Sequence, residues 1–236
     1  MYKNLLQNIF LKLGYQIRKK NRFFISPEHF KVLNSKDSDW KLIIESEKKT
    51  LKKNKDLLTN IRFYSLIQNL KFVLNQKNKI EDIVELGVWN GHSALIIANL
   101  IKKYKKKINL HIFDSFQGLS KIQKEDDIDY EIKEKFFGNE ESVRKILKKF
   151  KFVKIYPGWI PEKFCLLKNK KFSLVHIDLC LYKPTLDCLK FFYPRLVKGG
   201  ILICNSYNSN VFKGETKAFD KFFFCPTNIN LCINTL

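Results

Sequence analysis

IVELGVWNGHS, residues 83–93, decides the fold. Ile83, Val84 and Leu86 make an apolar run that reads as a buried strand, with one acid, Glu85, inside it. The run breaks at Gly87, and a helix follows Gly91. Glycines at these two positions let the backbone turn tightly and come close to a ligand. The next helix presents free N–H groups, around His92 and Ser93, to a polar or anionic group. α/β sheets hold nucleotide-like ligands in this way, at the carboxyl end of the first strand. A glycine-rich strand-to-helix turn with no ligand is the competing reading.

The spacing narrows the choice of ligand. A dinucleotide turn is Gly-x-Gly-x-x-Gly. Here the pattern is Gly-x-x-x-Gly, with Trp89 in the crowded middle. That argues against a pyrophosphate and for a cofactor without phosphates, such as S-adenosylmethionine. A second stretch, NLHIFDSFQGL at 109–119, reads as a short strand ending in Asp114. It lies about one β-α-β unit after the glycine turn, where such folds place a carboxylate on ribose hydroxyls. A carboxylate can accept hydrogen bonds from both vicinal hydroxyls. The plainer role for Asp114 is an N-cap of the next segment.

A chain of 236 residues, 45% of them apolar, accommodates one α/β domain with an extension, or two small domains. No apolar run approaches the ~20 residues of a membrane-spanning helix, and no signal peptide is visible. None of the six cysteines forms a Cys-x-x-Cys pair, so the sequence points to free thiols in a reducing, cytoplasmic setting and not to zinc. The net charge of +21 is mostly lysine spread along the chain among Asn, Ile and Phe. It favours salt-sensitive attraction to anionic surfaces, without the arginine cluster of a specific nucleic-acid reader.

Residues 1–20 read as a basic amphipathic helix with Leu5, Ile9 and Leu13 on one face. It suits the inner face of an anionic membrane, its own domain, or a second copy of the chain in a homodimer. Residues 21–56 are polar, with a helix start at Ser26-Pro27-Glu28, and 57–74 predicts a long helix. The division expected is a basic extension over 1–56 and one domain over 57–236. Strands are predicted over 83–87, 110–113, 152–156, 172–178 and 201–204. Helices are predicted over 92–103, 140–150, 185–193 and 215–223. Such alternation implies a parallel sheet. The acidic stretch 120–138 reads as a loop or lid over the cofactor face, and 225–236 as one more edge strand.

VELGVWNGHS, FDSFQGL, YPGWIPEKF, VHIDLCLYKPTLDCLKFFYPRLVKGGILI and GETKAFDKFF follow one another in this order. In this series the chain resembles the macrocin O-methyltransferase family of class I S-adenosylmethionine-dependent methyltransferases, over roughly residues 57–236. The resemblance implies a Rossmann-like, mostly parallel sheet of seven strands with one reversed edge strand. It implies O-methylation of a sugar or glycoside hydroxyl, in surface polysaccharide or natural-product biosynthesis. It also implies cofactor contacts at Glu85, Gly87, Val88, Trp89, Gly91, Ser93, Asp114, Ser115, Phe116, Gly158, Trp159 and Asp178, with Trp159 stacked near the adenine.

The departures bear on the chemistry. The family's His-Ile-Asp is usually followed by a residue and a second acid; here Asp178 precedes Leu179 and Cys180. The family carries Asp-Asp-Tyr after the fifth strand; here the residues are Asn205, Ser206 and Tyr207, with Asn208 in place of glycine. Those acids form the family's Mg²⁺ site. Asp178, Asn205 and Ser206 would hold one formal charge where about three are usual, so a weakened metal site is expected. Without a metal, a base must act directly, and Asp178 is the candidate. His176 is expected to point away from Asp178 into the core. His92 is read as a helix cap, with reach to the cofactor as the alternative, and Tyr182 and Tyr207 as lining of the acceptor pocket or as packing. Two other classes stand beside this reading. One is a divergent member that binds the cofactor but has lost catalysis, which rests on Asn205 and Ser206. The other is a nucleic-acid methyltransferase or binding protein, which rests on charge alone.

Overall fold

The computed structural model describes residues 38–50, 57–128 and 136–224. Its centre is a parallel sheet of β1 (Asp82–Leu86), β2 (Leu110–Asp114), β3 (Val153–Pro157), β4 (Phe172–Ile177) and β5 (Leu196–Cys204). The strands lie in the order β3-β2-β1-β4-β5, and every pairing is parallel. The chain therefore runs outward one way from β1 to β3, then crosses back to β4 and runs outward the other way. The reversal places the carboxyl ends of β1 and β4 side by side, and such a point is where open α/β sheets leave a crevice.

Both faces of the sheet are covered, as a parallel sheet requires. Ile83, Ile112 and Leu174 pack under α1 (Ser38–Thr50), α2 (Leu57–Leu74), α3 (His92–Lys103) and α4 (Glu140–Leu147). Val84, Leu86, Phe113, Val175 and Ile177 face α5 (Tyr182–Phe192) and α6 (Lys213–Phe224). At the amino end of the sheet, Asp82 Oδ2 lies 3.0 Å from His111 Nε2 and 3.0 Å from Lys170 Nζ. Burial alone would raise the Asp82 pKa; the hydrogen bonds from His111, Asn109 and Lys170 outweigh it and hold the carboxyl well below its usual range.

Three elements differ from the sequence expectation. α1 was read as polar chain, because its inward residues are Asp39, Ile43, Ser46 and Glu47, a helical spacing with one apolar member. Asp39 accepts a hydrogen bond from Gln68 of α2 and pairs with Lys71, so polar contacts fasten this helix. α5 starts at Tyr182, three residues earlier than expected, because Pro184 sits in its first turn, where no N–H is required. β5 starts at Leu196, because Gly199 and Gly200 form a bulge and not a turn. The basic helix at 1–20, the start at Ser26, part of the acidic loop (129–135) and the further edge strand expected in 225–236 lie outside the described residues, and the described sheet has five strands of the seven that the resemblance implies, none of them reversed. No helix among the described residues is long and apolar enough to cross a membrane.

Candidate active site

A cleft of about 1010 Å³ opens over the carboxyl ends of the strands. The turn after β1 supplies Gly87, Val88 and Trp89, and α3 supplies Ser93. Asp114 and Ser115 come from the end of β2, Gly158 and Trp159 from the end of β3. Asp178 follows β4, and Asn205 and Ser206 follow β5. Nine of the twelve expected cofactor residues, the candidate base Asp178 among them, thus share one cavity. α1 and α2 add a wall that includes Thr50, Arg62 and Phe63. No sequence motif marks these three, since only packing brings their helices to the cleft.

The glycine turn is shaped by its neighbours. Gly87 has φ +89°, and a Cβ there would come within 1.9 Å of the Asp178 carbonyl oxygen. The close approach is sealed by the Asp178 N–H donating to the Leu86 carbonyl at 2.8 Å. Asp114 braces the turn from β2. Its Oδ2 accepts from the N–H groups of Val88 and Trp89, both at 2.7 Å, and its Oδ1 accepts from Phe116 N–H at 2.6 Å. A carboxylate offers about four acceptor positions, so Oδ1 keeps one for a ligand hydroxyl. These contacts hold Trp89 at φ +46° and Phe116 at φ +58°, conformations that side-chain-bearing residues adopt at a cost. Gly158 turns at φ +137° beside Trp159, at the far end of the same cavity.

Several expected contacts are not at the cleft wall. Gly91 starts α3 at φ +81° with its open side against Val143 of α4, so it serves helix packing. Phe116 is buried below the lining. Glu85 is fully buried under the cleft, with Oε1 3.1 Å from His176 Nδ1 on the neighbouring strand. His176 is a core residue, but for a different reason than expected. Residues two apart on a strand share a face, so it does not point opposite to Asp178; Glu85 claims it. Burial alone would lower the His176 pKa, and the Glu85 carboxylate outweighs that and raises it. His92 does line the cleft but caps nothing: its Nε2 donates to the Ile43 carbonyl at 3.1 Å and its ring packs on Phe63. Burial pushes its pKa down to about 4, against that bond. Tyr182 lies in the core opposite, and the Tyr207 hydroxyl turns outward to Asp220 at 2.9 Å. Neither tyrosine lines the cavity.

The other end of the cleft holds Asp178. Among the described residues no side-chain hydrogen bond or ion pair uses its carboxylate, which leaves it available to a ligand. The residues beside it do not suit Mg²⁺. Asn205 and Ser206 are both neutral, so Asp178 is the one negative charge among the three. The floor also carries the sulfur of Cys180, where Mg²⁺ requires hard oxygens. Among the described residues no group of three His, Cys, Asp or Glu side chains is placed to hold a metal. Glu215 of α6, which sequence reading did not single out, lies fully buried behind this floor. Burial and the nearby Asp178 charge push its pKa up to about 7, against hydrogen bonds from Cys204, Cys180 and Ser206.

The chain is similar to proteins already known. A family model described as macrocin-O-methyltransferase (TylF) matches residues 43–225. Demethyldecarbamoylnovobiocin O-methyltransferase of Streptomyces niveus is 23% identical over 193 residues, which is 77% of this chain and 73% of that protein. Mycinamicin III 3''-O-methyltransferase of Micromonospora griseorubida is 27% identical over 139 residues, 53% of this chain and 55% of that protein. The chain therefore spans about half the length of that second relative. The solved structure of the O-methyltransferase NovP has the same fold, with a TM-score of 0.60 at 17% identity, covering 98% of this chain and 91% of that one. With the family model extending over well more than half its length, the chain belongs to the macrocin-O-methyltransferase family.

Proposed function

We propose that this protein transfers a methyl group from S-adenosylmethionine to a hydroxyl of a sugar or glycoside. The observation that carries the reading is the shared cavity. The glycine turn braced by Asp114 and the free carboxylate of Asp178 open onto one cleft of about 1010 Å³. That volume reaches the upper end of ordinary ligand sites, enough for a cofactor and an acceptor together. The relatives named above are O-methyltransferases by name, which supports the same kind of transfer.

The residues fit the cofactor. Gly87 admits a ligand against bare backbone, Asp114 Oδ1 can accept from a ribose hydroxyl, and Trp159 offers a flat apolar face for the adenine. When bound, S-adenosylmethionine supplies an electrophilic methyl group on a positively charged sulfur. The protein's part is to align the acceptor oxygen with that methyl and to receive the proton that the hydroxyl loses. Alignment supplies much of such a rate. Asp178 receives the proton.

The test is transfer of labelled methyl from S-adenosylmethionine to a panel of glycosides, nucleotide sugars and lipid-linked saccharides. Label on a ring hydroxyl is expected, with Asp178→Asn slower by about 10²-fold or more. Label on nucleic acid or protein in place of saccharide would overturn the proposal.

A further inference from the structure

Two segments must stay together for Asp178 to face the cavity: the loop that follows it, 179–181, and the end of β5, 204–206. Cys204 is paired with Ile177 in the β4–β5 ladder and Asn205 N–H donates to the Ile177 carbonyl at 2.9 Å, but the loop 179–181 lies beyond this ladder. Cys180 sits at φ +64°, a conformation that its side chain disfavours, so this loop needs an external tie.

Glu215 provides it. The residue projects from α6, is fully buried, and does not line the cavity. Its Oε2 accepts from Cys180 N–H at 2.9 Å. Its Oε1 accepts from the Cys204 thiol at 3.0 Å and lies 3.5 Å from the Ser206 nitrogen. One carboxylate therefore holds the loop after β4, the last residue of β5 and the residue that follows Asn205. A divalent cation bound by acids on these same two segments would join them from the front. Here the front carries Asp178, Asn205 and Ser206, which do not suit Mg²⁺, and the acid stands behind.

We infer that Glu215 is a positioning residue that takes the place of a divalent cation as the link between these two segments, leaving Asp178 to act in a cation-independent site. The part about catalysis rests on the methyltransferase reading; the link itself does not.

The test needs no acceptor. The full-length protein is pulse-labelled with iodoacetamide, and Cys180 and Cys204 are followed by peptide mass, with exposed Cys165 as reference. The wild type should protect both thiols equally in EDTA and in millimolar Mg²⁺, and calorimetric titration with Mg²⁺ should give no saturable binding. Glu215→Ala should label both about ten-fold faster or more, because a buried charge-assisted hydrogen-bond set is lost. Glu215→Gln, whose amide oxygen still accepts from Cys180 N–H, should restore protection of Cys180. If Glu215→Ala fails to fold, seen as labelling of buried Cys188, the glutamine variant and the Mg²⁺ arms decide. Unchanged labelling in a folded Glu215→Ala, loss of protection in a folded Glu215→Gln, sub-millimolar Mg²⁺ binding, or thiol protection that depends on Mg²⁺ would each overturn the inference. S-adenosylmethionine titration of the wild type runs in parallel; its failure would count against the proposed function and leave the link intact.

Discussion

Asp114 shows how one side chain serves structure and ligand together. Two of its acceptor positions hold the turn and a third holds the bend at Phe116, so its removal reaches further than a lost ribose contact. Asp114→Ala should weaken S-adenosylmethionine binding by about 1–3 kcal/mol, read by calorimetry, and also lower thermal stability, because three backbone N–H groups, two of them part-buried, lose their partner. A drop in affinity with no change in melting temperature would mean that the turn does not depend on this carboxylate. Gly87→Ala should be worse, since its methyl would sit 1.9 Å from a backbone oxygen that cannot swing aside. A loss of at least about 2 kcal/mol of stability is expected by denaturant titration. Residue by residue, the cleft was legible where local chemistry is special: glycines that must turn, and an acid at a strand end. Glu215 was not legible, because an acid in the first turn of a helix is ordinary, and only the packing of α6 against β5 shows that it is buried. His92 was misread for a similar reason, since its partner Ile43 lies 49 residues away.

Among the elements, the strands were readable because a sheet buried on both faces writes itself as short apolar runs. α1 was not, because its buried face is mostly polar and its register is set by Asp39 with Gln68 and Lys71. The acidic stretch near residue 126 illustrates a further limit. It was expected as a loop or lid over the cofactor face; its ends at Ser120 and Phe136 do line the cleft, while its Asp126 is 1% exposed and accepts from the Tyr182 N–H at 2.6 Å, capping α5 in place of Leu181, which has no capping side chain. Lys213 and Lys217 of α6 fasten the same stretch through Asp127 and the Glu125 carbonyl. Asp126→Ala should therefore cost about 1–2 kcal/mol of stability, the usual loss for a helix cap, measured by urea titration. A cost near zero would return this stretch to the status of a loose loop.

Across the whole molecule, two buried groups pull the pH dependence in opposite directions. His92 has a folded pKa depressed to about 4, below the ~6.5 of an unfolded histidine. Its contribution is full above that unfolded value and is lost as pH falls toward 4, about 3 kcal/mol in all. Glu215 has a folded pKa raised from 4.5 to about 7. Its contribution is full below 4.5 and is lost as pH rises through 7, again about 3 kcal/mol. The two oppose each other between these limits. Relative to the wild type, His92→Gln should gain in stability as pH falls from 6.5 to 4, and Glu215→Gln should gain as pH rises from 4.5 to 7. Melting temperatures at closely spaced pH values would show this, and parallel curves for all three proteins would contradict it.

In the proposed function, the cleft at the β1–β4 crossing holds S-adenosylmethionine through the glycine turn and Asp114. Calorimetric titration of the purified protein with S-adenosylmethionine, in EDTA and again with Mg²⁺, tests this. One-site binding in the micromolar range is expected, the same in both buffers, and weakened in Asp114→Ala. No binding by the wild type in either buffer would contradict it.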